Sequence, residues 1–472
     1  MTDMANQGMR WGAALRPLTR RQMLVGLAAG GIAGLLAACR SSAPATPATS
    51  STGAGSNATP QGASAAPATV GRATVELTFF YPVGVAGPLS KLIQQLVDQF
   101  NQSHPQVHVT ASFTGDYTST TTKVLTALNA HQPPDVAILL STDLQTLLDL
   151  NAIVPIDAFL TQAGPDFALD DFQPAFLKNS QAQGKTWSVP FQRSTPVLYA
   201  NQAALQAAGR DPNALPQTWD ELVEVAQRAM QTGKVSWGVE IPATGSAYWL
   251  FQALCIEAGH DLNGDGPASV AFDTAASRTA LHWMVDLSRT MRVMPTGAID
   301  WSATPTDFAA GHVAFVYHST GSLRAILNQA SFPVGVGFLP KREQYGTPTG
   351  GGNLYIFREI PAERQQAAWT FIQWMTAPER AAQWAIDTGY VPTRRSALET
   401  AIWRDYVAKT PQARVALDQL AYSYPELNGH QSGQLQKLVS DAVQAAVTGQ
   451  KSPEQALADA QRQADQILAA YR

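Results

Sequence analysis

The alternation of apolar and polar positions changes period several times along the chain. Val75, Leu77 and Phe79 alternate with Thr74, Glu76 and Thr78, which predicts a strand. Leu89, Leu92, Ile93, Leu96, Val97 and Phe100 then recur at helical spacing. Val107, Val109, Ala111 and Phe113 return to strand spacing, so the three segments form the strand–helix–strand unit that a parallel crossover requires. A second helical pattern (Val124, Leu125, Leu128) stops before Pro133-Pro134, and the continuous apolar run 136–140 predicts a buried parallel strand. Thr142-Asp143-Leu144-Gln145 and Thr218-Trp219-Asp220-Glu221 have the form of capping boxes. Pro361 opens a helix through Trp369, Phe371, Ile372 and Met375, and Ser452-Pro453-Glu454-Gln455 caps a final one. The expected class is α/β, with a helix N-terminus directly after a central strand, where ligands sit in open α/β sheets.

The first seventy residues do not share this pattern. Thr19-Arg20-Arg21-Gln22-Met23-Leu24 precedes the apolar run LVGLAAGGIAGLLAA, which ends at Ala38 and is too short to span a bilayer comfortably. The paired arginines resemble a twin-arginine export signal. Leu36-Ala37-Ala38-Cys39 resembles a bacterial lipobox, so residues 1–38 are expected to be a cleaved signal peptide and Cys39 the lipidated N-terminus. An uncut N-terminal anchor is the alternative. Residues 39–72 are almost entirely Ser, Ala, Pro, Thr and Gly, which cannot bury a core; as a coil they form a tether spanning roughly 30 Å. The expected location is the outer face of the cell membrane, or its periplasmic side.

Composition narrows the partners. Lys and Arg number 32 against 36 Asp and Glu, a net charge of -4 that leaves no electrostatic footprint for nucleic acid. There are 2 cysteines; with Cys39 carrying lipid, Cys255 is a single buried thiol in LFQALCIEA. Asp261-Leu262-Asn263-Gly264-Asp265-Gly266 begins like a calcium loop, but Phe272 stands where the bidentate Glu belongs. His104 and His108 are separated by Pro105, which ends the helix between them. No metal or cofactor is expected.

Several segments resemble the bacterial extracellular solute-binding proteins of carbohydrate-type ABC importers, in particular their glycerol-3-phosphate-binding branch. Pro190 through Asn201 looks like that family's first crossover between lobes. His318-Ser319-Thr320-Gly321-Ser322-Leu323 is similar to its Ser-Ser-Gly-Ser-Leu turn, and Gly350 through Leu354 to its return crossover. Thr388-Gly389-Tyr390-Val391-Pro392 and Thr448 through Glu454 complete a likeness that covers nearly all of residues 75–470.

The resemblance implies a two-lobed periplasmic-binding-protein-like fold with a hinge and an interlobe ligand cleft. Lobe one would be 73–190 plus 353–400, and lobe two 191–352 plus 401–472. It also implies a monomer that captures a small polyhydroxylated solute (sugar, polyol, glycerol-3-phosphate or a glycerophosphodiester) and delivers it to membrane permease subunits. Carried over residue by residue, Tyr117, Ser194, Ser319, Gly351 and Tyr390 match ligand-contacting positions. Tyr248 and Trp249 lie where the family stacks tryptophans on ligand. Ser141 stands in place of a hydroxyl-binding carboxylate and Gln436 in place of a phosphate-binding arginine, so the phosphorylated ligand is in doubt. Arg193 is a candidate replacement cation. The contrasting expectation is an extracytoplasmic hydrolase of glycosides or phosphodiesters, although no Gly-x-Ser-x-Gly, His-Glu-x-x-His or Ser-x-x-Lys motif is present.

Overall fold

The computed structural model describes residues 74–160, 164 and 167–472. The export signal, Cys39 and the tether lie outside the described residues. From Thr74 to Arg472 the chain forms one compact unit built around two sheets.

The first sheet contains β1 (Val75–Tyr81), β2 (Val107–Phe113), β3 (Val136–Leu140), β4 (Val189–Ser194) and, from far along the chain, Gly350–Ile356. The second contains β5 (Pro196–Asn201), β6 (Trp237–Glu240), β7 (Val313–Ser319) and β8 (Val334–Gly337). Numbering Gly350–Ile356 as β9, the orders are β2-β1-β3-β9-β4 and β8-β5-β7-β6. β1 runs parallel to β2 and β3, as the strand–helix–strand pattern requires. β9 is antiparallel to both β3 and β4, since it enters this sheet from the second one.

Each sheet is covered on both faces. Phe79 on β1 meets Phe371 edge-on at 5.2 Å, and Phe371 meets Phe100 at 4.9 Å, so two helices lock onto one face of the first sheet. Val124, Leu139, Leu147 and Tyr355 pack on the other. The second sheet buries Leu198, Phe315 and Tyr317 against the helix Ala247–Glu257, itself buried along its whole length. Cys255 lies inside that helix, fully buried, and burial pushes its thiol well above the usual range.

Local predictions held where one element's own chemistry decides them. Ser452 and Thr218 accept from the backbone N–H groups of Gln455 and Glu221, as N-caps do. The capping box at Thr142 does not form. Ser141–Asp143 is a short 3-10 turn, and Leu144–Asp149 follows it with no side-chain cap. The Thr142 hydroxyl accepts from the Gln436 amide instead (3.0 Å), and the Gln145 amide donates to Asp149 (3.1 Å). The calcium-like loop is likewise turned inward: Asp261 accepts from Gln252, from Asn263 and from the Leu262 N–H.

Only a few residues join the sheets. The chain leaves β4 at Ser194 and enters β5 at Pro196. It returns through Thr347–Pro348, which pairs in parallel with Ser423–Tyr424, before β9 begins at Gly350. The Val391 N–H donates to Arg193 O (2.8 Å) and ties a later segment to the same joint. No helix among the described residues is long and apolar enough to cross a membrane.

Candidate functional site

Between the two sheets lies a cleft that the structure holds closed. The Gln436 side-chain amide donates to Thr142 Oγ1 (3.0 Å), and Ser432 Oγ to Thr142 O (2.7 Å). His430 pairs with Asp149 at 2.8 Å and stacks on Tyr471. On the opposite rim Trp301 Nε1 donates to Gly84 O (3.1 Å). All four contacts join the β1–β3 half to segments that pack with the second sheet.

These contacts leave two cavities. One, of about 350 Å³, has Tyr117, Tyr248, Trp301, Asp300, His318 and Gln436 in its wall. The other, of about 530 Å³, has Ser141, Thr142, Asn179, Asp261 and Asn428 among its lining. A partition of hydrogen-bonded side chains divides them. Tyr248 OH donates to Glu426 Oε1 (2.7 Å), while Ser141 Oγ lies 3.5 Å from Glu426 Oε2.

Local structure explains how these groups are presented. Asp116 caps the helix Tyr117–Asn129 by accepting from the Ser119 N–H, and this fixes Tyr117 in its first turn. Tyr117 OH then donates to Gln192 Oε1 (2.8 Å) on β4. The Tyr117 ring lies against Gly84 and Gly352, where an added Cβ would come within 2.6 and 3.0 Å of ring atoms. Tyr248 follows Ser246, at the start of a buried helix. Trp301 stacks on His318 with ring centres 3.8 Å apart, and burial lowers the His318 imidazole to about 4, so the stack is neutral.

The remaining predicted residues lie beside these cavities rather than in their walls, all of them buried except the half-buried Gly351. Arg193 is fully buried. Its Nη1 donates to Gly351 O (3.1 Å) and Asn353 Oδ1 (3.3 Å), its Nη2 to Thr349 Oγ1 (3.3 Å), and Phe176 covers its guanidinium. Trp249 Nε1 donates to Thr349 O (3.0 Å) and its ring packs on Gly350, so Trp249 supports the joint while Trp301 supplies the cavity's indole. Ser319 Oγ accepts from the Gly321 N–H and caps the turn Thr320–Ser322. Ser194 is buried at the end of β4. Tyr390 stacks on Trp384 and touches the Gly321 backbone across the joint. Gly351 has φ +93, and an added Cβ would lie 1.9 Å from Gln192 O, so close approach of its own neighbouring strand demands glycine.

Glu426, Gln192 and Trp301 escaped the sequence reading. Glu426 carried one legible signal: a lone carboxylate between Pro425 and Leu427, with no helical pattern to expose it. Burial pushes it up to about 7 even though the Tyr248 hydroxyl and the Arg193 charge pull the other way. Asp143 rises to about 6, chiefly by burial. Gln192 Nε2 and Arg193 Nε are buried donors without a protein acceptor.

Two α/β lobes joined by a few residues around a cleft of hydroxyls, amides and aromatic rings define a binding protein that closes on a small solute. Residues 95–411 match the bacterial extracellular solute-binding protein family, and the chain belongs to it. The sn-glycerol-3-phosphate-binding periplasmic protein UgpB of Yersinia pseudotuberculosis is 27% identical over 414 residues, covering 84% of this chain and 93% of that protein. UgpB of Salmonella typhimurium is 27% identical over 415 residues, 84% of this chain and 94% of that one. Among solved structures, UgpB from Mycobacterium tuberculosis in complex with glycerophosphocholine superposes with a TM-score of 0.76 at 26% identity, covering 84% of this chain and 99% of that one. The GacH receptor of Streptomyces glaucescens, solved with acarbose, gives 0.74 at 20% identity, covering 84% and 100%; that likeness is one of fold.

Proposed function

We propose that the chain captures a small polyhydroxylated solute (a sugar, a polyol or a glycerophosphodiester) by lobe closure and delivers it to the permease of an ABC importer. The observation that carries this reading is the hydrogen-bonded partition Tyr248–Glu426–Ser141 between two cavities, in which Ser141 follows β3 of the first sheet and Tyr248 belongs to the helix packed on the second. Hydroxyl-rich ligands need alternating donors, acceptors and aromatic faces, and Tyr117, Tyr248, Trp301 and Gln436 supply them. The ligand touches both lobes and so binds the closed form better, which shifts the open–closed population. A micromolar Kd needs about -8 kcal/mol, within reach of a few hydroxyl bonds and stacked rings.

In this reading the lobes expected at 73–190 plus 353–400 and 191–352 plus 401–472 turn about the Ser194–Pro196 and Thr347–Gly350 joints, so lobe one extends through β4 to Ser194 and takes in β9 from Gly350. Tyr117, Tyr248, Ser141 and Gln436 contact solute directly. Arg193, Ser194, Ser319, Gly351, Tyr390 and Trp249 hold the closed geometry and reach the ligand through it. The protein works as a monomer, exported and held at the membrane by lipid on Cys39, with residues 39–72 as its tether. The relatives named above are binding proteins, and they lend no support to a hydrolase.

Calorimetry with ribitol, maltose and glycerophosphocholine, paired with small-angle scattering, tests the reading. Binding of at least one probe with a smaller radius of gyration in the complex, lost in Tyr117→Ala, is the expected result. Binding that survives Tyr117→Ala and leaves the radius unchanged refutes the cleft as its site.

A further inference from the structure

The donors in the wall of the smaller cavity are already engaged. Tyr117 OH donates to Gln192 Oε1 (2.8 Å), Tyr248 OH to Glu426 Oε1 (2.7 Å) and Trp301 Nε1 to Gly84 O (3.1 Å). The Gln436 amide gives one N–H to Thr142 Oγ1 and the other to Leu427 O, both at 3.0 Å. All four side chains stand in this wall. What Tyr117, Tyr248 and Gln436 keep for a solute is oxygen lone pairs, and Trp301 keeps its ring. The hydroxyls of Thr118, Ser246 and Ser302 can turn either way.

His318 adds an acceptor. Its ring is fully buried in the same wall, and Nε2 lies 3.1 Å from Trp301 O, a carbonyl that can only accept. The proton therefore belongs on Nε2, and Nδ1 is left an acceptor that no donor among the described residues reaches. Burial lowers this imidazole to about 4, so it brings no positive charge.

The charges point the same way. Asp116 and Asp300 stand in this wall, which holds no Lys or Arg among the described residues. One Asp116 oxygen accepts from the Ser119 N–H, and the other has no donor among the described residues. Asp300 accepts from Thr244 and from the N–H groups of Ser302 and Ala303, neutral donors that leave its charge uncompensated. Lys178 and His430 lie at the larger cavity, and Arg193 lies outside both walls, opposed by Glu426.

We propose that the smaller cavity is a subsite for a primary ammonium group carried by a small polar solute. The inference rests on the solute-binding reading above and narrows it to an amino sugar or an ethanolamine-bearing glycerophosphodiester. A primary ammonium brings three donors and a positive charge to a wall of acceptors and carboxylates. The rings of Tyr117, Tyr248 and Trp301 favour a cation further. A trimethylammonium group carries the same charge but no N–H, so it leaves the acceptors unmatched, and unmatched buried acceptors cost affinity. A neutral hydroxyl donates once and leaves both carboxylates without a counter-charge.

Calorimetry at pH 6.5, where both amines carry their proton, tests this on two matched pairs: glucosamine against glucose, and glycerophosphoethanolamine against glycerophosphocholine. In at least one pair the ammonium member should bind tenfold or more tightly, and the pair that shows it identifies the source. Asp116→Asn keeps the helix cap, since Asn caps as Asp does. It should cut that preference at least fivefold, and added salt should shrink it as well. Equal affinities within both pairs overturn the inference; if Tyr117→Ala abolishes that binding, the solute-binding reading still stands. A preference that survives both Asp116→Asn and Asp300→Asn overturns the inference too, as do equal losses for both members of a pair, which mark a structural role. Binding of ribitol or maltose alone upholds the solute-binding reading and refutes the ammonium subsite. Failure of every probe overturns both.

Discussion

Tyr248 OH donates to Glu426 Oε1 at 2.7 Å, joining the first turn of a buried helix to a loop 178 residues later. That bond holds a carboxylate at the centre of a closed cleft, and its titration sets a stability profile. Glu426 is raised to about 7 and Asp143 to about 6, in both chiefly by burial. Ordinary carboxylates titrate near 4. Folding therefore favours the protonated forms. The stability associated with these groups is fully present below about pH 4 and is lost as pH rises through 6 to 7. Glu426→Gln removes one such group while keeping an oxygen for Tyr248. Its unfolding free energy should match the parent near pH 4.5 and exceed it by about 2–3 kcal/mol at pH 8. Urea titrations of both proteins across that range check this, and a difference independent of pH would contradict it.

The two tyrosines expected to contact ligand should separate on mutation. Tyr390 is buried among Phe191, Trp384 and their neighbours, so Tyr390→Ala should cost about 3–5 kcal/mol of stability before any effect on binding. Tyr117 is half-buried at the mouth of the smaller cavity. Tyr117→Ala should cost only about 1–2 kcal/mol in stability but tenfold or more in solute affinity. Thermal unfolding and calorimetry on the two variants distinguish them; equal stability losses would show that Tyr117 is a core residue.

Glycine is required at position 351 for a backbone reason. Gly351→Ala puts a Cβ against Gln192 O and holds alanine at φ +93, so it should cost about 3 kcal/mol or more, or prevent folding. Gly433, inside the helix Ser432–Thr448 with open space around it, is the control. Gly433→Ala should stabilise by about 0.5–1 kcal/mol. Chemical denaturation of both variants measures the contrast, and similar small effects at the two sites would rule out the close approach.

Elements whose chemistry is local could be read directly from the order of residues. The period of Val75, Leu77 and Phe79, the spacing from Leu89 to Phe100, and the caps at Thr218 and Ser452 fix strands and helices because each depends on residues a few positions apart. Two lobes and a cleft were legible from the order of motifs at Pro190, Ser319, Gly350 and Gly389, which only a resemblance could interpret. Tertiary structure alone decided which side chains meet. Thr142 has the pattern of a cap, yet its hydroxyl accepts from Gln436, because a partner from another element outcompetes the local bond. Trp249 and Trp301 look alike as letters, but one braces the joint at Thr349 and the other forms the cavity wall. Glu426 stands 285 positions from Ser141, and no periodicity links residues so far apart. Burial by the whole fold brings them together, and the same burial raises the Glu426 pKa.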